Sequence, residues 1–501
     1  MNTVTSTAEV QAERRSKYHE ADVVVVGAGV FGCGIAYALA KQGRSVLLLE
    51  RWMKEPDRIV GELMQPGGIA ALKKLGLEKT LQGIDSIPCH GYNVFYHDIN
   101  VLIPYPAVDQ STGKLTQGEP DKKNEGVQRP QGCAFHHGRF IMNLRRACLE
   151  QPNITVVETE VTATIKGEHT SQVLGVEART YNLDTGHKEP DFFFGTLTII
   201  ADGYASKFRQ SYLGSAPIVK SKFYALELID CKLPEQGFGT VIIGKAPSPI
   251  LLYQIGSHET RCLIDVPIGL PEAAPAAGGV RGYIRNTVLP TLPKSVQPSV
   301  LAALDKDDKI PRSMPNSWLP AVKQMPRGML ILGDALNMRH PLTGGGMTVA
   351  FNDVVILADL LSPEKVPNLG DEARVQRAFS EFHWRRKSFT SIINVLAQAL
   401  YSLFAAADNP QLRALQKGCF GYFQRGITDG PAGLLGGLIH QPFVLFRHFF
   451  AVAFLAIGID ACRVMSGPAG FLKFPLVLVN TFLILWKACV VFLPVFWKEL
   501  K

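Results

Sequence analysis

The chain has 501 residues, nine cysteines, a formal net charge of +8, 47% hydrophobic residues and a mean hydropathy of +0.09. That length calls for two or three domains. Nine dispersed cysteines without a C-x-x-C pair argue against a disulfide framework or a zinc site, and no interleaved basic and aromatic run marks a single-strand nucleic-acid binder, so no nucleic-acid partner is expected.

Residues 1–20 are polar and lack an apolar segment, which reads as a disordered lead into the first strand rather than a secretory signal. Residues 21–50 read as one strand–helix–strand unit. "ADVVVVGAG" is a valine run suited to a buried parallel strand, "GVFGCGIAYALAKQG" has helical composition and ends at Gly43, and "RSVLLLE" is a second buried strand. The turn Gly27-Ala28-Gly29-Val30-Phe31-Gly32 matches G-x-G-x-x-G. Gly27 permits the tight turn, Gly29 lets a pyrophosphate approach the backbone, and Gly32 allows close helix–strand packing. Glu50, 21 residues after Gly29, stands where a carboxylate takes both ribose hydroxyls, which favours FAD or NAD over a phosphorylated ribose.

Residues 107–131 are polar and rich in turn formers, the pattern of an exposed loop. His136-His137 reads as strand, so the two rings should point to opposite faces and make no metal pair. Residues 138–151 form an amphipathic helix with Phe140, Leu144 and Ala147 on one face, and 153–165 a strand or hairpin arm. "TLTIIADGYAS" is a buried strand entering an Asp-Gly turn. From about 221 to 267 the period becomes two, with a hairpin at Gly256–Glu259, and this points to a mostly antiparallel sheet separate from the first layer. Residues 270–316 read as connections and a short helix, 328–335 as a buried strand and 344–361 as the helix after it. Beyond 370 the chain is helical. Phe443–Ile459 carries only Arg447 and His448, and Phe474–Trp497 only Lys487, with Pro475 and Pro494; this suits a monotopic hairpin in one leaflet.

The segment "GDALNMRHPLTGGGMTVAFND" decides between the two cofactors. A nicotinamide enzyme needs one glycine cradle, whereas the longer flavin cofactor needs a second. Asp334 ends a strand where its carboxylate can accept from ribityl hydroxyls, and Gly344-Gly345-Gly346 open a helix whose positive end suits charge on a reduced flavin.

These elements, with "GR" at 138–139 and "ADG" at 201–203, resemble the FAD-dependent monooxygenases of the aromatic-hydroxylase type. The longer blocks "EPDRIVGELMQPGG", "HHGRFIMNLR" and the late triple-glycine segment resemble the squalene epoxidase family, its fungal members above all. The resemblance runs from about residue 20 to the C-terminus. It implies an α/β fold: an FAD-binding Rossmann-like domain of the glutathione-reductase type, an antiparallel-sheet substrate domain and a C-terminal helical membrane-associated region. The corresponding division is FAD-binding parts at 21–90, 132–215 and 321–365, substrate-domain parts at 91–131 and 216–320, and the helical region at 366–501.

By matching position the resemblance implies FAD contacts at Gly27, Gly29, Val30, Phe31, Gly32, Glu50, Arg51, Arg58, Arg139, Val161, Asp202, Asp334, Gly344, Gly345, Gly346 and Met347. It implies that Gln65 and Tyr92 face the substrate cavity and that Glu62 orients Gln65. A hydrocarbon slot lined by Leu226, Leu251, Tyr253 and the helices near 390–405 is expected, with no metal. The implied reaction is epoxidation of squalene with dioxygen and NADPH-derived electrons, in ergosterol biosynthesis. No second nucleotide fold is visible for NADPH, so the implied partner is a membrane-bound diflavin NADPH reductase at the cytosolic face of the endoplasmic reticulum, with lipid droplets a further site. Three rival readings share the fold. They are a prenyl-chain reductase, a flavin halogenase, for which no catalytic lysine can be placed, and a non-catalytic prenyl-binding escort protein.

Overall fold

The computed structural model describes residues 19–97, 99–109, 115, 127–244, 248–307, 309–406, 409–466 and 470–500. The lead at 1–18 and most of the expected loop within 107–131 lie outside the described residues.

The first sheet has six strands. Strand Glu20–Val26 pairs in parallel with Val46–Glu50 on one side and with the end of His187–Ile200 on the other. Val23 to Val26 are buried on both faces, which is why the run is continuous valine rather than alternating. Helix Val30–Lys41 packs on this sheet and stops where Gly43 adopts a φ of +87°. Strand Ile154–Lys166 pairs in parallel with Val46–Glu50 over its first half and antiparallel with Val173–Asn182 over its second. Met329–Ile331 adds in parallel to the end of His187–Ile200.

The second sheet has seven strands, ordered 312–318, 218–229, 259–267, 250–254, 238–243, 91–96 and 99–104. All neighbours are antiparallel except Phe238–Ile243 with Gly91–Tyr96. The hairpin turn between Gln254 and Glu259 lies where the sequence suggests. Both faces of this sheet are covered. In strand Ile218–Ile229, Phe223 and Ala225 join a core facing the first sheet and the C-terminal helices, while Leu226 and Leu228 join a core capped by helix Gln297–Asp305.

Two expectations are corrected. His136 and His137 are not on a strand: His136 is the N-cap of helix His137–Leu149. Residues 270–316 hold more than connections, because Arg312–Trp318 is an edge strand whose Pro315 sits opposite Lys222. Proline and polar side chains hide such a strand from a periodicity argument, and only an edge tolerates the missing donor.

The C-terminal part is helical. A 33-residue helix, Glu372–Phe404, is followed by Pro410–Gln424, Asp429–Leu435, Pro442–Met465 and Phe474–Leu500. The last two form a hairpin, each long and apolar enough to cross a bilayer. Inward residues such as Ile484, Ala488 and Phe492 pack on the body, whereas Phe482 is 66% and Trp486 61% exposed. An outward stripe of large apolar side chains on this scale marks a surface that meets lipid or another apolar partner.

Candidate active site

A cavity of about 430 Å³ lies between the two sheets. One end is the turn after strand Glu20–Val26. Gly27 has a φ of +100°, and a Cβ there would come within 2.4 Å of the Ala201 carbonyl oxygen. A Cβ on Gly32 would strike the Gly27 carbonyl, so that glycine serves packing. Gly29 differs: a Cβ there would meet nothing within 4 Å, and its bare backbone faces the cavity beside Val30 and Phe31. Glu50 accepts from the Ala28 amide at 2.8 Å and leaves its second oxygen on the Trp52 amide at 3.1 Å. Arg145 ties this end together, donating to the carbonyls of Ala28, Trp52 and Lys54 at 3.0–3.1 Å and standing 3.5 Å from Glu50.

The other end is the loop from Gly333 to Met347. Asp334 follows strand Met329–Ile331 and pairs with Arg58 at 3.4 Å. Gly344 has a φ of +62°, and a Cβ there would crowd the Gln65 amide nitrogen at 3.1 Å. Gly345 packs on Ile393, which a Cβ would meet at 2.5 Å. Gly346 starts helix Gly346–Leu360 and is open to the cavity, its Cβ position 3.8 Å from Arg339. The three glycines therefore answer to three needs: a left-handed turn, a helix contact and a bare face.

The remaining wall is the second sheet, which contributes Tyr92, Val241, Leu251, Tyr253 and Leu263 among others. Bare backbone at both ends of one cavity fits a long dinucleotide. So do four buried polar atoms without protein partners on its lining residues, Arg58 Nε, Asp202 Oδ1, Thr240 Oγ1 and Arg339 Nε. The donor set suits FAD: two backbone cradles, a ribose-side carboxylate at Glu50, and guanidinium groups for phosphate oxygens.

A family model described as "Squalene epoxidase" matches residues 194–479, and one described as "FAD dependent oxidoreductase" matches residues 22–54. The chain is 63% identical over 500 residues to "Squalene epoxidase ERG1" of Gibberella zeae, covering 100% of this chain and 99% of the relative. The chain belongs to the squalene epoxidase family. It is 54% identical to "Squalene epoxidase erg1" of Aspergillus fumigatus over 96% of this chain and 94% of the relative, and 39% identical to "Squalene monooxygenase" of Mus musculus over 100% and 82%. Among solved structures, a probable FAD-dependent monooxygenase from Pseudomonas aeruginosa, pqsL, superposes with a TM-score of 0.60 at 19% identity, covering 79% of this chain and 98% of that one. The flavin-dependent brominase Bmp2 superposes at 0.61 and 15% identity, over 88% and 98%. These two carry the fold alone. As a squalene epoxidase the protein is an FAD-dependent monooxygenase that epoxidises squalene in sterol biosynthesis, with dioxygen as oxidant and NADPH as electron source.

Most of the residues singled out in the sequence line this squalene epoxidase cavity: Glu50, Arg51, Arg58, Glu62, Tyr92, Val161, Asp202, Leu251, Tyr253, Asp334 and Met347. Several do not. Arg139 acts on Asp85 and lies off the cavity face of helix His137–Leu149, because the six residues to Arg145 leave the two side chains about a third of a turn apart. Leu226 points through the second sheet into the opposite core, the consequence of period-two alternation. The helix at 390–405 stands behind the lining; its Tyr401 stacks on His340 with ring centres 3.8 Å apart. Gln65 is fully buried behind Tyr92 rather than on the cavity surface. Its Nε2 donates to Tyr92 Oη at 2.6 Å and to the Thr343 carbonyl at 2.7 Å, and its Oε1 accepts from Tyr105 Oη. Glu62 does not orient Gln65. It forms a two-pronged pair with Arg261 at 2.8 Å, with Tyr253 Oη at 3.4 Å.

Sequence reasoning missed Arg145, His137 and Arg339, all on the cavity lining. The signal for the first two was helical spacing: His137, Ile141 and Arg145 recur every four residues on one face. The His137 imidazole is pushed down to about 4 by burial and by the Arg58 charge, so it is neutral at physiological pH, and its Nδ1 donates to the Gly61 carbonyl at 2.8 Å. Tyr92 is held as a neutral phenol, since burial raises its pKa.

Proposed function

We propose that FAD lies along this cavity from Gly29 to Gly346, with squalene against the second-sheet wall. Glu50 takes the adenosine ribose, and Arg51 and Val161 flank the adenine side. Arg58 and Asp202 line the middle, and Asp334 accepts from the ribityl chain. Met347 and the Gly346 amide border the ring. The bound flavin supplies the oxygen-transfer chemistry when reduced in the presence of dioxygen. What the protein does is hold the reactants and exclude water. Tyr92 and Gln65 fix the Thr343 carbonyl and so the loop carrying Gly344, while Glu62 with Arg261 holds Tyr253 at the wall. The observation that carries the reading is that two cavity-facing glycines, from turns over three hundred residues apart, open onto the same space as Leu251 and Tyr253. The seven-part domain division set out from the sequence is proposed on the same ground.

Electrons come from a membrane-bound diflavin NADPH reductase, and the protein sits on the cytosolic face of the endoplasmic reticulum and on lipid droplets. The hairpin Pro442–Leu500 lies in one leaflet. Its support is that the last helix packs along the body and ends in a buried residue, Glu499, rather than in solvent across a bilayer. In the test, detergent-solubilised protein is incubated with squalene, FAD, NADPH and the reductase, with and without each component. Oxidosqualene should form only in the full mixture; turnover without the reductase would remove that partner. In sealed vesicles, protease should reach both ends of the hairpin from the same side, and opposite accessibility would make it a spanning pair.

A further inference from the structure

The last turn of the chain breaks the character of its own helix. Phe474–Leu500 is apolar almost throughout, yet Glu499 is only 2% exposed and lies in the body, not in the lipid-facing stripe. Asn394 Nδ2 donates to Glu499 Oε2 at 3.1 Å, and Lys387 Nζ donates to the Glu499 backbone carbonyl at 2.8 Å. The same Asn394 amide donates to Asn337 Oδ1 at 3.0 Å, which also accepts from Arg339 at 2.9 Å and Arg386 at 3.3 Å. Arg386 is paired with Asp353 at 2.6 Å. Arg339 donates to the Gly346 carbonyl at 3.3 Å and itself lines the cavity. An unbroken buried chain of polar contacts thus runs from the end of the lipid-facing hairpin to the second glycine cradle.

We propose that Glu499 is a positioning residue for the cofactor loop: its carboxylate balances the buried charge behind Gly344–Met347, so that docking of the terminal helix sets the geometry of the flavin site. The charges argue for it. Arg339, Arg386 and Lys387 are all buried; Asp353 pairs with Arg386, Asp334 and Asp353 also act on Arg339, and Glu499 acts on all three cations. Removing one partner of such a buried set leaves uncompensated charge, which the structure relieves by moving the groups that carry it. Arg339 donates to both Asn337 and Gly346, so a shift of this set reaches the second cradle. The consequence is that docking of the terminal turn and cofactor affinity are linked, since each favours the same arrangement of the loop. This inference rests on the reading that FAD occupies the cavity.

The test uses full-length protein in detergent, stripped of flavin and titrated with FAD, comparing wild type, Glu499→Gln, Glu499→Ala and Trp486→Ala on the exposed stripe. Glu499→Gln keeps the shape and an acceptor for Asn394 but loses the charge. It should weaken FAD binding about tenfold, raise the flavin reduction potential because an anion is gone, and speed hydrogen exchange of the Gly344–Met347 amides in the apoprotein. Glu499→Ala should do more, and Trp486→Ala should change none of the three. The inference is overturned if both Glu499 variants lower the melting temperature while FAD affinity, potential and loop exchange stay at wild-type values. Should wild type bind no flavin, the cavity reading falls first.

Discussion

At the Gly27–Gly32 turn, most of what fixes the backbone is close in the chain, with Arg145 and the Ala201 backbone as remote supports. Gly27 donates to the Leu49 carbonyl at 2.7 Å, Glu50 caps the Ala28 amide, and the helix that follows packs on the strand that precedes. At the Gly344–Gly346 turn, almost nothing is. Gln65 supports it from one side, Ile393 from another, and Arg339 from behind, through groups reaching to Glu499. The first end of the cavity is mainly a local device, held by backbone bonds and apolar packing and tied down by Arg145. The second is an assembly point for three layers of the molecule, held by buried polar groups whose charges must balance.

Substitutions can separate the two. The largest effect should come from Gly29→Val. The site has an ordinary backbone conformation and open space, so the apoprotein should fold with an unchanged melting temperature while FAD affinity falls about 100-fold or more, read by flavin fluorescence. Normal binding by that variant would end the idea that Gly29 is a cradle. Gly345→Val should do the reverse, losing stability through its clash with Ile393. Next, Asp334→Ala should lose FAD and turnover together, by about tenfold to 100-fold if the carboxylate bonds a buried ligand; a variant that stays yellow and turns over fully would remove it from the site.

A third test is acid stability. His137 is held near 4 and His340 near 3, both below the ordinary histidine value, so the unfolded chain takes up protons that the folded one refuses. Stability is therefore full above about pH 6.5 and falls as the pH drops toward 4. Each of these histidines contributes up to roughly 3 kcal/mol of that fall, and His137→Gln should flatten the acid limb of the melting curve; an unchanged slope would mean His137 is already protonated when folded. The smallest effect is that of Tyr92→Phe. It removes a hydroxyl bonded to Gln65 and Thr343 and should change substrate or inhibitor affinity about fivefold with FAD content unchanged.

The same contrast explains what could be read from the chain alone. The strand, turn, helix and strand of residues 20–50 follow from valines, glycines and one glutamate, because the forces that fix them act over short separations. The hairpin at 254–259 was legible for the same reason. Long blocks of resemblance carried Arg58, Tyr92 and Asp334 to the cavity wall, but a matching position does not say which way a side chain points. Arg139 went astray on that by helical phase, and Leu226, expected from the strand-rich middle segment, by strand alternation. The resemblance assigned Glu62 to Gln65, whereas Arg261, from the second sheet, is the partner that neutralises it. The burial of Glu499 was invisible, since it exists only where three remote side chains, Lys387, Ser391 and Asn394, meet it.

One last feature bears on how the molecule is made. The sheet that begins with Glu20 is finished by Met329–Ile331, and the strand at 91–96 waits for 238–243. Early strands can take one neighbour while the chain is short, Glu20–Val26 with Val46–Glu50 and Gly91–Tyr96 with Ile99–Pro104, but their other edges stay open through much of synthesis. Biogenesis of this protein should therefore depend heavily on chaperones that shield open strand edges, and ribosome-bound fragments ending before residue 331 should aggregate when released, although they lack the apolar C-terminal helices.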